Sequence, residues 1–214
     1  MAKINVEWFK TKYPISIREY AEKCGFNLTG LENGNISEEN WEWIDSKIRL
    51  RILNDLKEQW NDIEDGANRF LKVKRGVYVI TLAQNISIDY SGHPSQVIYI
   101  GRGNLRSRIS SHLRNWIRYF SESLQDISFN IWLTEIRVKG SPNAFKDLEY
   151  DLLDEFFTRY GELPIQNTKY GDNFGREHEY NMEWRAPLNN PRNIHNGWTI
   201  KPLRNNPWFK DVEE

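Results

Sequence analysis

Two tyrosine-containing tripeptides and the basic segment that follows them carry the residues best suited to chemistry. Each tripeptide ends a short run of strand-forming residues; they are Gly76-Val77-Tyr78 and Tyr99-Ile100-Gly101. Arg108 and His112 follow, four residues apart, and a helix would place them on one face. Two phenols, a guanidinium and an imidazole supply hydrogen-bond donors, a permanent positive charge and a proton acceptor. Such a set is suited to the hydrolysis of a phosphodiester bond.

The distribution of charge favours a phosphate-binding surface in the same region. The 214-residue chain has a formal net charge of -1, but residues 68–140 carry 11 Lys and Arg against 4 Asp and Glu. Segments 1–67 and 141–214 each carry 9 basic and 13 acidic residues. A basic surface attracts phosphates, as binding of a nucleic acid would require. Chance clustering on a solvated face is the alternative, and charge by itself does not decide between them.

The composition excludes several classes of protein. With one cysteine, Cys24, the chain has no internal disulfide framework and no cysteine-rich zinc module. No run of about 18 uncharged apolar residues is present, so we expect no membrane-spanning helix. The first residues lack the apolar core of a signal peptide, which favours a cytoplasmic protein.

Hydrophobic periodicity predicts the elements that would position the reactive residues, in an α/β (α+β) fold. The predicted order is strand, strand, helix, strand, helix, with strands over residues 72–82, 97–100 and 129–138. Residues 85–94 are predicted to form a loop that turns at Ser91-Gly92. Asn104 is suited to cap the first helix, and the second helix is predicted over residues 144–160.

A long amphipathic helix is predicted before this core and an extended arm after it. Ser37 can cap the helix, whose apolar positions recur every three or four residues: Trp41, Ile44, Ile48, Ile52, Leu56, Trp60 and Ile63. For this stripe, core packing is favoured over a partner-binding surface. Residues 171–214 are rich in Asn, Pro, Arg and Trp and either wrap the domain or reach along a ligand. The chain therefore divides into a helical extension (1–70), a central domain (71–170) and a C-terminal arm (171–214).

Glu149 is the residue whose position most favours a functional role. At helical spacing it neighbours Phe145, Leu152 and Leu153, on the apolar face of the second helix. The other acidic residues of that helix are predicted to lie largely on the solvated side: Asp147, Asp151, Asp154 and Glu155. An inner carboxylate is costly unless it is paired or metal-bound, and one carboxylate with waters and a substrate phosphate is a normal Mg²⁺ site. A structural salt bridge, for example to Arg108, is the alternative.

With these residues assembled, segment 72–170 resembles the GIY-YIG nuclease family. The matching elements stand in the family's order: Gly76-Val77-Tyr78, Tyr99-Ile100-Gly101-Arg102, Asn104-Leu105-Arg106-Ser107-Arg108 with His112, Leu148-Glu149, and residues 160–167. Val77 stands where isoleucine is usual. The resemblance implies a GIY-YIG core made of a three-stranded antiparallel sheet flanked by helices. It also implies a metal-dependent endonuclease.

The resemblance implies catalytic roles for the matched residues. Tyr78 would act as general base for the attacking water or would position it, and Tyr99 would support the water or the phosphate. Arg108 would bind the scissile phosphate, and His112 occupies a helix position that the family fills with His or Tyr. Glu149 would hold the divalent metal ion, Mg²⁺, for which Mn²⁺ can substitute.

Further residues would brace the site or contact DNA. Asn167 would brace the site. Arg102 stands where some family members carry lysine; because arginine is not usefully deprotonated, it would contact phosphate and not act as base. The other expected DNA contacts are Asn104, Arg106, Arg114, Arg192 and Arg204. In the arm, Asn189, Asn190 and Asn193 are candidate readers of base edges, with turn residues in a packed tail as the alternative.

A sequence-specific type II restriction endonuclease acting on double-stranded DNA fits this layout best. The chain has no zinc module and no long linker, which argues against a homing enzyme. It has no evident second nuclease or helix-hairpin-helix segment, which argues against a repair enzyme. A structure-specific repair or recombination nuclease, a homing-type nuclease and a non-cleaving nucleic-acid-binding module are the alternatives. Cleavage of both strands favours a homodimer, although some monomers cut each strand in turn.

Overall fold

The computed structural model describes residues 3–28, 37–61, 69–83, 86–123, 127–172, 178–190 and 198–200. The strands are β1 (Lys3–Ile4), β2 (Phe9–Lys10), β3 (Gly76–Leu82), β4 (Ile86–Tyr90), β5 (His93–Ser95), β6 (Val97–Gly103), β7 (Phe129–Glu135), β8 (Glu179–Tyr180) and β9 (Trp198–Ile200). The α-helices are α1 (Ile17–Lys23), α2 (Glu38–Asn61), α3 (Arg69–Lys72), α4 (Leu105–His112), α5 (Arg118–Ser123) and α6 (Ala144–Tyr160). A π-helix (Leu113–Ile117) joins α4 to α5, and a 3₁₀ helix (Met182–Leu188) follows β8.

The chain forms two compact units, each assembled from separate stretches of sequence. The first unit comprises Met1–Lys10, Arg75–Gly103 and Ile131–Glu214. The second comprises Thr11–Lys74 and Asn104–Asn130. The mixture of helices and antiparallel strands confirms the predicted α+β class.

A four-stranded sheet in the order β2-β7-β3-β6 contains the tyrosine motifs. β3 and β6 pair antiparallel, with Tyr78 opposite Gly101 and Ile80 opposite Tyr99. The three strands predicted from sequence are therefore neighbours, and β2, which was not predicted, forms an outer edge. β3 begins at Gly76 instead of residue 72, because residues 69–72 form α3.

The predicted loop over residues 85–94 is wrong, since most of this segment is a β-hairpin. β4 and β5 pair antiparallel around Ser91 and Gly92, whose positive φ angles of 50° and 88° make the tight turn. The turn was predicted correctly, but the alternation of Ile86, Ile88 and Tyr90 before it was missed. β9, from the C-terminal arm, pairs parallel with β4 and completes this small sheet.

Helix α6 packs against β3 and β6 in the first unit. It covers Ala144–Tyr160 as predicted, and its buried apolar residues are Ala144, Leu148, Leu152, Leu153, Phe156 and Tyr160. Gly161 ends the helix in the left-handed region, with φ of 70°. Its N–H donates to the carbonyl of Phe157 at 2.7 Å and closes the last turn.

The second unit is helical, and α2 supplies its apolar centre. Ser37 accepts a hydrogen bond from the Asn40 N–H at 3.4 Å, as expected of an N-cap. The predicted stripe is buried at Ile44, Ile48, Ile52, Leu56 and Trp60, which confirms core packing; Ile63 lies outside the described residues. α2 packs against α1, α3, α4 and the π-helix. In the part of the chain that the structure describes, no helix is long and apolar enough to cross a membrane.

Candidate active site

The two motif tyrosines form a stacked pair above a glycine. Their ring centroids lie 5.8 Å apart, with the planes inclined by 25°. Tyr78 is fully buried and Tyr99 is half-buried, so solvent reaches the pair through Tyr99. A Cβ at Gly101 would lie 2.5 Å from Tyr99 Cε1 and 2.6 Å from the Tyr78 hydroxyl oxygen. The motif glycine therefore provides the space in which the two phenols lie together.

A buried carboxylate pairs with the arginine that follows the second motif. Glu149 lies on the inner face of α6, where its side chain is 12% exposed. Its Oε2 is 2.9 Å from Arg102 Nη1, and Arg102 Nη2 is 2.6 Å from Oδ2 of Asp172, whose side chain is 67% exposed. The prediction that Glu149 faces inward is confirmed. This carboxylate pairs with Arg102, the residue that we expected from the sequence to contact phosphate.

The backbone of Gly171 lies against the same carboxylate. A Cβ at this position would come within 2.6 Å of Glu149 Oε2 and 3.8 Å of Arg102 Nη1. Arg102 and the backbone of Gly171 thus both lie against the same carboxylate oxygen of Glu149. The carboxylate is fixed by its ion pair and by this close packing.

One buried carboxylate fits a Mg²⁺ ion bound chiefly through waters and a substrate phosphate. Mg²⁺ prefers hard oxygen ligands and normally retains several waters, so a single protein carboxylate is enough. The described residues contain no group of three or more His, Cys, Asp and Glu side chains that could hold a metal by themselves.

Asn167 braces the open edge of β6. Its Oδ1 accepts the Ile100 N–H at 2.9 Å, and its Nδ2 donates to the Ile100 carbonyl at 2.8 Å. The neighbouring Gln166 N–H donates to the Ile98 carbonyl at 3.0 Å. This segment satisfies backbone groups that an edge strand would otherwise expose. The side chain of Asn167 thus holds the backbone of β6 at Ile100, next to Tyr99.

In the second unit, α4 carries the predicted phosphate-binding residues. Asn104 caps the helix as predicted, because its Oδ1 accepts the Ser107 N–H at 2.9 Å. The buried face of the helix consists of Leu105, Ile109 and His112. The arginines of α4 and the π-helix are exposed: Arg106, Arg108 and Arg114. The helix therefore separates an apolar inner face from a basic outer one.

His112 differs from these arginines because it is buried, with 8% exposure. Trp116 Nε1 donates a hydrogen bond of 2.7 Å to His112 Nδ1. Burial, with the charge of Arg108 one turn earlier as a second cause, lowers the pKa of His112 to about 4. The imidazole is therefore neutral at pH 7.

The described part of the C-terminal arm covers α6. His178 Nε2 lies 2.7 Å from Asp147 Oδ2, and the Tyr180 hydroxyl donates to Asp151 at 2.5 Å. The prediction that Asp147 lies on the solvated side is wrong, since its residue exposure is 4%. The arm buries a helix face that the sequence pattern presents as outer. Burial raises the pKa of the Asp151 carboxyl, although its hydrogen bond to Tyr180 opposes this.

The arm residues proposed to contact DNA fall into two groups. Arg192, Asn193 and Arg204 lie outside the described residues. Asn189 accepts a hydrogen bond from Arg159 at 3.3 Å, and Asn190 donates to the Pro94 carbonyl at 2.6 Å. These two asparagines thus hold the packed arm in place, which was the alternative to base reading.

Three residues that matter to the site were missed by reasoning from sequence. They are Gly171 and Asp172, which lie beside the Glu149–Arg102 pair, and Trp116, which bonds to His112. The spacing of His112 and Trp116 offered a signal, because residues four apart meet on a helix. Gly171 and Asp172 offered none, since the path of the arm alone brings Gly171 to Glu149 and Asp172 to Arg102.

No family model, curated protein or solved structure matches this chain. The likeness of segment 72–170 to GIY-YIG nucleases therefore rests on the motifs themselves.

Proposed function

We propose that this chain is a GIY-YIG endonuclease that uses a divalent metal ion to hydrolyse phosphodiester bonds in double-stranded DNA. We further propose that it is a sequence-specific type II restriction endonuclease. The observation that carries the proposal is the stacked pair of Tyr78 and Tyr99 over Gly101, together with the buried carboxylate of Glu149 on the inner face of α6. Glu149 also forms a salt bridge to Arg102, so a metal ion would have to compete with this guanidinium for the carboxylate.

The first unit supplies the groups for the metal ion and the water. Glu149 would hold Mg²⁺, or Mn²⁺ in its place, and the bound ion would supply positive charge for the leaving oxygen. Tyr99, the partly exposed ring, would contact the attacking water or the phosphate. Tyr78, stacked on it over Gly101, would orient the water or accept its proton. The rigid packing of both rings favours a fixed position for the water.

The basic residues would bind the phosphate backbone. Arg108 presents a planar, permanently charged guanidinium on an exposed helix face, which suits two-point contact with the scissile phosphate. Arg102 could bind a phosphate in place of Asp172, which is the more exposed of its two carboxylate partners. Asn104, Arg106 and Arg114 would add backbone contacts that position the DNA without reading its sequence.

Digestion of unmethylated DNA tests both parts of the proposal. Purified protein is incubated with several DNAs of known sequence in Mg²⁺ or EDTA, with Glu149→Ala in parallel. Discrete fragments that require both Mg²⁺ and Glu149 would support a restriction endonuclease, and the mapped ends would define its site. Smeared or nicked DNA would support nuclease activity but would overturn the proposal of a sequence-specific restriction endonuclease. Tight binding without cleavage would identify a non-cleaving nucleic-acid-binding module, and neither binding nor cleavage would overturn the whole proposal.

A further inference from the structure

Trp116 makes a hydrogen bond that fixes the chemistry of His112. Its indole Nε1 lies 2.7 Å from His112 Nδ1, and the two rings meet edge to face with centroids 5.7 Å apart. An indole nitrogen can donate a hydrogen bond but cannot accept one. The Nδ1 atom must therefore accept, which requires that it carry no proton.

The proton of the neutral imidazole is then on Nε2. A doubly protonated ring would place its Nδ1–H against the indole N–H, so the contact with Trp116 itself opposes protonation. Burial of the ring and the nearby guanidinium of Arg108 act in the same direction. Burial and Arg108 thus favour the neutral ring, and the hydrogen bond from Trp116 selects which nitrogen carries the proton.

Trp116 lies on the π-helix that follows His112, and its spacing of four residues from His112 brings the two side chains together. The helix widens over Leu113–Ile117, immediately after His112, and this segment contains Trp116. Single-turn π-helices inside α-helices cost stability and occur often at functional sites. The widened turn and the indole contact occur together around one histidine.

We propose that Trp116 is a positioning residue that holds His112 as the neutral tautomer protonated on Nε2. In the reaction His112 then donates a hydrogen bond through Nε2 to an oxygen of the reacting groups and does not remove a proton. This second statement rests on the proposed nuclease function, whereas the tautomer does not. A group that donates at neutral pH without carrying charge complements Arg108, which supplies the charge.

The tautomer is measured by two-bond ¹H–¹⁵N correlation spectra of protein labelled with ¹⁵N-histidine. The chain has 4 histidines, and the His112 signals are assigned by their loss in His112→Gln. We expect an unprotonated Nδ1 and a protonated Nε2 at neutral pH. Trp116→Phe keeps an aromatic ring but removes the donor, so Nδ1 should gain a proton in part of the population. Trp132→Phe is the matched control, because the buried Nε1 of Trp132 makes no hydrogen bond with the described residues.

A wild-type spectrum with the proton on Nδ1 would overturn the proposal, as would a tautomer unchanged in Trp116→Phe. If Trp116→Phe does not fold, the wild-type spectrum decides. Cleavage assays test the donor role, because glutamine offers an N–H but is not a base. His112→Gln should cleave at least about tenfold faster than His112→Ala, given the 10²–10³-fold cost of removing one such donor. Equal rates would exclude donation, and a wild-type protein that does not cleave would overturn the reaction role while leaving the tautomer result intact.

Discussion

The carboxylate region of the first unit and helix α4 of the second unit place functional groups in opposite ways. Glu149 is buried, and its neighbours fix it through an ion pair and a backbone contact. Arg108 stands on an exposed helix face, positioned by the register of a capped helix. The first arrangement depends on tertiary packing and the second on local structure. Substitutions in the two regions should therefore affect stability and activity in different proportions.

The charges of the two regions differ as well. In the first region each described charge is compensated, because Arg102 lies between Glu149 and Asp172. The outer face of α4 carries the exposed Arg106 and Arg108, while burial keeps His112 neutral. In the first region, a bound metal ion or phosphate would have to displace one partner from the group formed by Glu149, Arg102 and Asp172.

The largest expected effect is that of Glu149→Gln, with Asp172→Asn as its matched control. Both residues pair with Arg102, but the side chain of Glu149 is 12% exposed and that of Asp172 is 67% exposed. Loss of the carboxylate proposed to bind the metal should lower the cleavage rate by on the order of 10³-fold or more, since a catalytic metal contributes several kcal/mol. Asp172→Asn should stay within about tenfold of wild type. DNA binding should persist in both, as measured by electrophoretic mobility shift in Ca²⁺.

If Glu149→Gln cleaves at the wild-type rate, the metal assignment is wrong. Equal losses in Glu149→Gln and Asp172→Asn would instead show that the whole ion-pair network, and not the buried carboxylate, matters for activity.

Arg108→Ala should lower cleavage by about 10²–10³-fold, the usual effect of removing one transition-state contact. Because Arg108 is exposed, its loss should change the free energy of unfolding by no more than about 0.5 kcal/mol. Arg114→Ala is the matched control from the same basic surface. It should weaken DNA binding equally for all sequences and reduce the salt dependence of binding by about one counterion. If Arg108→Ala, like Arg114→Ala, only weakens DNA binding and leaves the cleavage rate of bound DNA unchanged, Arg108 has no catalytic role.

The sequence predicts local elements well because their signals are local. Helices α2 and α4 begin after the predicted N-caps Ser37 and Asn104. Helix α6 has its predicted limits and ends at Gly161. The β4–β5 hairpin was missed because a short alternation of Ile and Tyr competes with turn residues on both sides. The pairing of β2, β8 and β9 was also missed, since two- and three-residue strands have almost no periodicity. Such strands exist only through their partners.

In the candidate site, too, the residues placed by local spacing were predicted and those placed by contacts between distant segments were not. Glu149 could be placed inward by helical spacing alone, and Asn104 could be placed at a cap. The partner Arg102 and the approach of Gly171 depend on where separate segments meet, which periodicity does not report. Asp147 shows the converse error, because its position looks outward until the arm places His178 on it. Residues covered by an irregular arm cannot be distinguished from solvated ones by sequence pattern.

Two glycine substitutions separate packing from chemistry within the first unit. Gly101→Ala would press a methyl group to 2.5 Å from a Tyr99 ring carbon, so we expect about 1–3 kcal/mol of lost stability and reduced cleavage. Gly171→Ala would place its methyl group 2.6 Å from Glu149 Oε2 and 3.8 Å from Arg102 Nη1, which are terminal atoms of side chains and not backbone. It should therefore lower cleavage while leaving urea unfolding nearly unchanged. Full activity of Gly171→Ala would contradict the view that the position of this carboxylate is critical.

The smallest expected effect is the pH dependence of stability that His112 contributes. Its pKa is lowered to about 4 in the folded chain, whereas an unfolded histidine has a pKa of about 6.5. Between these values the unfolded chain binds the extra proton, so stability is lost as the pH falls from about 6.5 to about 4. The full contribution is present above pH 6.5, and its upper limit is about 3 kcal/mol.

Urea unfolding of wild type and His112→Gln across pH 4–7.5 measures this contribution as a difference. Burial raises the pKa of the Asp45 and Asp151 carboxyls, which contribute with the opposite sign and are common to both proteins. The wild type should lose up to about 1.4 kcal/mol per pH unit more than the variant on acidification. Parallel curves would mean that His112 titrates normally and that the interior of the second unit does not keep it neutral. Helix α4 would then not separate a charged outer face from a neutral inner one, because His112 on the inner face would also be charged below pH 6.5.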